Sequence, residues 1–362
     1  MPNILIAGGG SGGHVAPAIA VAEALKILEC TPILAHSVRK VDSEMAGQTP
    51  FECITLPANP LSLRPMKFLE FCMGFKQTEK KVNRFISEKN IGCVLATGGF
   101  VAAPALRAAK KQHCPTVLLN LDNPPGKANR LAVRWADCIL STVECAFKNF
   151  SLVSPPLRQC VIAPSNKNSC YEAFDLDPHL MTLLVTGASQ GASSINNLVP
   201  TLAQQQPEYF RGWQVLHIAG VNHENRVKEL WKELNVPCSV VGFIQEMGFA
   251  WGVADLAITR GGANTIAELA MNAVPAVVLP YPFHKDNHQT TNAISLVQIG
   301  GVIIEKDYSQ PQMNLAHAGS TICKLLKDHQ QRFAMRQALA SLLPENGAIA
   351  VADTCIASAG LD

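Results

Sequence analysis

One phrase occurs twice in this chain. Residues 3–13 read NILIAGGGSGG and residues 182–192 read TLLVTGASQGA, each a short apolar run emptying into a glycine-rich turn. A strand that ends in such a turn and continues as a helix is the opening of a β-α-β unit. Two openings in 362 residues predict two doubly wound α/β domains, facing each other across a cleft. Between them, apolar runs alternate with helix-length stretches. Strands are expected at Asn3–Ala7, Pro32–His36, Ile91–Ala96, Thr116–Leu119 and Cys138–Ser141, with helices at Ala16–Leu28, Lys67–Ser87 and Val101–Lys111. A second series is expected at Met181–Thr186, Gln214–Ile218, Cys238–Val241, Leu256–Thr259, Ala276–Leu279 and Val302–Ile304. Residues 151–178, rich in Pro, Ser and Asn, read as the join. The expected domains are 1–160 and 161–342, with a C-terminal helix in 343–362 packing back on the first.

Composition narrows the function classes. Hydrophobic residues make up 48% and charged residues 16%, enough apolar material for two cores. A formal net charge of +2 argues against a nucleic-acid partner. The start, MPNILIAGGG, lacks the basic and long apolar segments of a secretory leader, and no apolar run approaches the roughly 18 residues that span a bilayer. The 12 cysteines are scattered without a C-x-x-C pair, as expected of reduced thiols packed as small hydrophobes.

Gly8, Gly10 and Gly13 satisfy G-x-G-x-x-G between a strand and a helix, with Pro17 placed near the first helical turn. Such a turn brings backbone N–H groups toward an anion at a helix N-terminus; with no ligand it is simply a tight turn. A dinucleotide site would also need a carboxylate ending the second strand. Here His36-Ser37-Val38-Arg39 follows, with no carboxylate before Asp42. Arg39 suits a phosphorylated cofactor, so an NADP-dependent oxidoreductase stays open. Tyr281 and Lys285 imitate a short-chain dehydrogenase pair, but Pro282 lies inside the helical turn that pairing requires.

Five segments in chain order carry a resemblance: GGSGGHVAP (9–17), TGGFVAAP (97–104), NPPGKANR (123–130), TGASQGA (186–192), and RGGANTIAELA through HKDNHQTTNA (260–293). With these the chain resembles the MurG family, glycosyltransferase family 28. The resemblance implies a GT-B fold, an inverting transfer of GlcNAc from UDP-GlcNAc, a donor held by the C-terminal domain and a lipid-linked acceptor held by the N-terminal domain. The implied acceptor is the undecaprenyl-diphospho-muramoyl-pentapeptide of peptidoglycan synthesis. Alternatives are a paralogue with another UDP-sugar or acceptor, and a non-catalytic sugar-nucleotide binder.

Residue by residue, the resemblance implies His14 as catalytic histidine. At a helix start the dipole disfavours imidazolium and leaves a base-competent ring; contact with acceptor alone is the other option. Ser11, Gly12 and Gly13 match the loop facing the donor sugar, and Ser189, Gln190 and Gly191 the turn near the diphosphate. Ala263, Asn264, Thr265, Ile266, Ala267 and Glu268 match the nucleotide-contacting segment, Glu268 as ribose clamp. Ile244 matches a uracil-side contact, and Gln289 and Asn123 donor-side contacts. The sequence departs from the family at Asn120-Leu121-Asp122, where His-Glu-Gln is usual, and at Lys167, which offers a cation where an arginine is common. Phe100 stands where a tyrosine is common. Asp175-Leu176-Asp177 has the spacing of a metal-binding pair but sits in the join, so no metal and no cofactor is expected. Finally, residues 61–84 combine Leu61, Leu63, Met66, Phe68, Leu69, Phe71, Met73 and Phe75 with Arg64, Lys67, Lys76, Lys80, Lys81 and Arg84. These apolar positions crowd more than one helical face, as expected for peripheral contact with an anionic leaflet on the cytoplasmic side.

Overall fold

The computed structural model describes residues 3–62, 64–187, 191–283, 287–342 and 344–360. The chain divides into two units, one of residues 1–158 with 346–362 and one of residues 159–345.

The first unit carries β1 (Asn3–Gly8), β2 (Thr31–Ser37), β3 (Glu52–Leu56), β4 (Ile91–Gly98), β5 (Thr116–Asn120), β6 (Cys138–Ser141) and β7 (Ser151–Leu152). Their order in the sheet is β3-β2-β1-β4-β5-β6-β7, and every neighbouring pair is parallel. Central strands of a parallel sheet are covered on both faces, which is why they read as unbroken apolar runs. The two-residue period still sorts their side chains. Ile4, Ile6, Leu34, Leu95 and Leu119 pack toward one face; Leu5, Ala7, Ile33, Val94 and Leu118 pack toward the other.

Helix Gly12–Ile27 is buried at Val15, Ala18, Ile19, Ala20, Val21, Ala22, Ala24 and Leu25, nearly all round. A helix apolar on all sides needs cover on all sides. The sheet supplies one side and helix Ala348–Ser358, from the far end of the chain, supplies another through Ala348, Val351, Ala352 and Cys355. The returning chain is fastened at Asn346. Its Oδ1 accepts from the Leu157 N–H at 2.9 Å and its Nδ2 donates to the Leu157 carbonyl at 2.6 Å. Gly347 is required there, because a Cβ would meet the Ser154 carbonyl oxygen at 1.7 Å.

The second unit carries β8 (Met181–Thr186), β9 (Trp213–Ile218), β10 (Cys238–Val241), β11 (Leu256–Thr259), β12 (Ala276–Val278) and β13 (Val302–Ile304), in the order β10-β9-β8-β11-β12-β13, again parallel throughout. Each sheet therefore starts at its centre and reverses direction beside its first strand. The crevice at the carboxyl end of that switch point is where α/β sheets bind ligands. In each unit a glycine turn occupies that position.

Three local expectations are corrected. Residues 151–152, assigned to the join, form the edge strand β7, and β3 was not foreseen. The first helix starts at Gly12 rather than Ala16, so Pro17 is its sixth residue and lies beyond the first turn.

Candidate functional site

In the first unit the glycine turn is tied from both sides. Gly9 N–H donates to the Gly98 carbonyl at 3.4 Å. Gly10 N–H donates to Asp42 Oδ2, which also accepts from Ser37 Oγ at 2.5 Å. Arg39 donates to the Gly10 carbonyl and lies 5.2 Å from the centre of the Phe100 ring. Gly10 has φ +102°, and a Cβ there would strike the Phe100 ring at 2.7 Å. Arg39, which the sequence left available to a phosphorylated cofactor, is thus committed to the turn itself.

Ser11 caps the following helix in extended geometry without a side-chain cap bond, and Gly12 and Gly13 form its first turn. Ser11 and Gly13 are exposed. His14 follows, half-buried, with Nδ1 3.3 Å from the Thr97 carbonyl oxygen. A carbonyl only accepts, so Nδ1 carries the proton and Nε2 keeps its lone pair. The Thr97 hydroxyl donates back to the His14 carbonyl at 2.8 Å. Gly98 lies directly behind the ring at φ +117°, where a Cβ would be 2.5 Å from Nδ1. Of the two glycines of TGGF, Gly98 is therefore the backing of this histidine, while Gly99 admits the Gly9 carbonyl, which a Cβ would meet at 1.5 Å. Burial pushes the imidazole below its ordinary 6.5, while Asp122, the Thr97 carbonyl and Asp42 pull upward without cancelling it. Desolvation, rather than the helix dipole invoked from sequence, leads that depression.

The departed box behaves as a structural unit. Asn120 is buried at the end of β5, its amide donating to the Asp122 carbonyl and to Ser141 Oγ and accepting from Asn129 Nδ2. Asp122 is half-buried and Asn123 exposed.

In the second unit, the turn after β8 opens onto a cavity of about 700 Å³, lined by Gly187, Gly191, Ser194, Arg260, Gly262 and Gln289 among others. Gly191 has φ +71°, and a Cβ on it would meet the Ala219 carbonyl at 2.1 Å. Ser189 and Gln190 lie outside the described residues. Gln289, second residue of helix His288–Gln298, accepts from the Tyr281 N–H at 2.8 Å and so braces the opposite wall.

The wall also holds a buried ion pair that sequence reasoning missed. Arg260 donates to Asp307 Oδ2 at 2.8 Å, to Ser194 Oγ at 2.8 Å and to the Leu279 carbonyl at 2.8 Å. Ser194 and Asn314 donate to Asp307 as well. Burial raises the Asp307 carboxyl, but the bonds from Ser194, Asn314, the Ser309 N–H and Arg260 outweigh it and hold it below the usual carboxylate range. The one available signal was an arginine directly after a buried strand.

Helix Ala263–Met271 begins at Gly262, with Ala263 exposed and Asn264, Thr265 and Ala267 half-buried. Ile266 is buried in the core around Trp251, with Ile244 packed against the same cluster. Glu268 Oε2 accepts from Trp251 Nε1 at 2.9 Å, which fixes the carboxylate against that cluster. The structure thus brings Ile244, Ile266 and Glu268 together around Trp251, and Gly191 and Gln289 together around the cavity. Lys167 is exposed as the first residue of helix Lys167–Glu172. Asp177 Oδ1 accepts from the His179 N–H in a tight turn, and no cluster suited to a metal ion occurs among the described residues.

Comparisons place these features in a family. The N-terminal domain of glycosyltransferase family 28 matches residues 4–141 and its C-terminal domain matches residues 182–348. The chain is 34% identical over 364 residues to the UDP-N-acetylglucosamine--N-acetylmuramyl-(pentapeptide) pyrophosphoryl-undecaprenol N-acetylglucosamine transferase of Clavibacter michiganensis, covering 98% of this chain and 95% of that one. It is 33% identical to the enzyme of the same name from Tropheryma whipplei, covering 86% and 87%. Among solved structures, Acinetobacter baumannii MurG superposes with a TM-score of 0.75 at 21% identity over 98% of each chain. A UDP-GlcNAc 2-epimerase from Neisseria meningitidis shares the fold at a TM-score of 0.65 and 14% identity, over 99% of each chain. The oxidoreductase alternative falls away: the chain is a UDP-sugar glycosyltransferase and belongs to the MurG family, glycosyltransferase family 28.

Proposed function

We propose that this chain transfers GlcNAc from UDP-GlcNAc to the undecaprenyl-diphospho-muramoyl-pentapeptide lipid, the step its relatives are named for. The observation that supports this most strongly is the match over 98% of the chain to such a transferase. In this reading the acceptor hydroxyl attacks the sugar carbon as the bond to the diphosphate breaks, and the electron pair leaves with UDP. The hydroxyl proton goes to His14 Nε2, the ring nitrogen left with a lone pair by the Thr97 carbonyl. Burial keeps that ring neutral and ready to accept. Ser11, Gly12 and Gly13 line the sugar side, as does Asn123. Gly191, which lines the cavity, holds the diphosphate, a role that Ser189 and Gln190 share in this reading. Ile244 and residues 263–268 hold the nucleoside, with Glu268 on the ribose; Gln289 contacts the sugar and Lys167 supplies a cation at the interdomain join. Residues 1–160 with the C-terminal helix form the acceptor domain and 161–342 the donor domain. Backbone N–H groups at the second turn stabilise the leaving group without a divalent metal.

The enzyme works at the cytoplasmic face of the membrane in this reading, held there peripherally. Residues 64–70, the start of helix Pro65–Lys89, are exposed on every side, including Met66, Phe68 and Leu69 beside Arg64 and Lys67. Leu63 lies outside the described residues, while Phe75 is buried in the core and Phe71 packs against it, so of the stretch 61–84 expected to meet the membrane the apolar exposed part is its first half. No helix among the described residues is long and apolar enough to cross a membrane.

A second reading keeps the donor and changes the acceptor, because Asn120 and Asp122 stand where the family carries histidine and glutamine. A UDP-release assay with a panel of UDP-sugars and lipid acceptors, with and without EDTA, tests both. Turnover with UDP-GlcNAc and the muramoyl lipid, unaffected by chelation, is expected. Turnover only with another acceptor selects the second reading.

A further inference from the structure

The first glycine turn has an occupant of its own. A strand-to-helix turn of this kind directs N–H groups at an anion, and here the anion is part of the chain. Asp42 is fully buried, and its Oδ2 accepts from the Gly10 N–H and from Ser37 Oγ. A Cβ on Gly9 would come within 2.9 Å of that same oxygen, so the turn is glycine in part to admit the carboxylate. The other oxygen, Oδ1, is buried with no hydrogen-bond partner. A buried carboxylate oxygen left in that condition is costly to folding and asks for a reason. The surroundings supply one. The turn leads in four residues to His14, and the carboxylates of Asp42 and Asp122 act on that ring, while the Arg39 guanidinium is engaged on the Gly10 carbonyl. When a buried imidazole takes up a proton, a fixed negative charge nearby offsets part of the desolvation of the cation.

We propose that Asp42 is a positioning residue for catalysis: it holds the glycine turn through the Gly10 N–H, and its fixed charge supports His14 as that ring takes the acceptor proton. The inference rests on the reading of His14 as the base.

Asp42→Asn keeps an acceptor for Gly10 and removes the charge. Three quantities are measured in it and in the parent: UDP affinity by calorimetry, melting temperature, and kcat/KM as a function of pH. The expected result is turnover lower by about tenfold to 10²-fold, the scale of a disturbed reacting geometry, with UDP affinity unchanged. The acid limb of the pH profile should move to lower pH, because losing a negative charge makes the imidazolium more acidic. A merely structural role would lower the melting temperature and leave that limb in place, and this overturns the proposal; so does a matching loss of UDP affinity, which would put the donor at Asp42. If Asp42→Asn does not fold, Ser37→Ala loosens the same oxygen and leaves the charge. It should lower turnover several-fold with UDP affinity unchanged, and an undiminished turnover overturns the proposal. His14→Ala run in parallel separates the two claims. Full turnover in His14→Ala removes the base itself, whereas a dead His14→Ala beside an unshifted Asp42→Asn profile removes only Asp42.

Discussion

The two glycine turns begin alike and end differently. Both follow the central strand of a parallel sheet, at its switch point, and both open a helix. The first is closed by its own chain: Gly9 is paired to Gly98, Gly10 to Asp42, and Arg39 caps the outward carbonyl. The second opens onto a cavity of about 700 Å³ whose charged groups, Arg260 and Asp307, neutralise each other in the wall. A glycine-rich turn therefore specifies a backbone that lets something approach closely. What approaches is decided by side chains far away in sequence. The two units also hold depressed histidines of different character. His14 stands half-buried at a turn; His217 is fully buried, its Nε2 bonded to Asn196 Oδ1 at 3.1 Å and its Nδ1 accepting from Trp231 at 3.0 Å.

The contrast can be attacked at its strongest point first. His14→Ala should reduce turnover by about 10²–10⁴, the worth of a positioned base, while calorimetric UDP affinity stays close to the parent. Retained turnover would make the first turn an acceptor contact only.

Next comes the wall of the second turn. Arg260→Met leaves Asp307 buried without its partner and should cost roughly 3–5 kcal/mol in denaturant unfolding. Arg260→Met with Asp307→Leu should recover much of that loss. A single variant as stable as the parent would show the pair to be dispensable.

The third test is pH. Burial pushes His217 down to about 3, so it stays neutral in the folded chain while the unfolded ring titrates near 6.5. Below about pH 6.5 the unfolded state binds the extra proton, and stability is lost progressively until the folded ring also titrates near pH 3, at most about 1.4 kcal/mol per pH unit. Urea midpoints across that window should fall for the parent and flatten for His217→Gln.

Glu268→Ala should weaken UDP by roughly 1–3 kcal/mol, the scale of lost charge-assisted hydrogen bonds. Unchanged affinity in a folded variant would confine Glu268 to its bond with Trp251. The smallest effect is expected at the membrane. Phe68→Ser with Met66→Ser should reduce co-sedimentation with anionic vesicles at low salt, and equal recovery of both proteins in the supernatant would leave the exposed helix start without that role.

Much of this fold was legible because buried parallel strands are contiguous apolar runs; β6, β8, β10, β11 and β13 fall on the expected residues. β3 escaped because ECITL alternates weakly at a sheet edge, and β7 because two exposed residues carry no pattern. The helix start at Gly12 was hidden by glycine's poor intrinsic propensity, which packing against the sheet overrides. At the site, the turns and His14 were visible, but their supports were not. Thr97 and Gly98 reach His14 across more than eighty residues, and Asp42 reaches Gly10 across 32. Local sequence records the loop that is held and is silent about what holds it.

The returning C-terminal helix has a consequence for how the protein is made. Ala348, Val351, Ala352 and Cys355 complete the core around helix Gly12–Ile27. The first unit is therefore complete only once residues 348–358 have been made. Residues 159–345 can close on themselves while the apolar back of helix Gly12–Ile27 is still uncovered, waiting for a partner not yet translated. Chains stopped before residue 346 would present that face to chaperones and proteases, a half-finished first unit beside an intact second one.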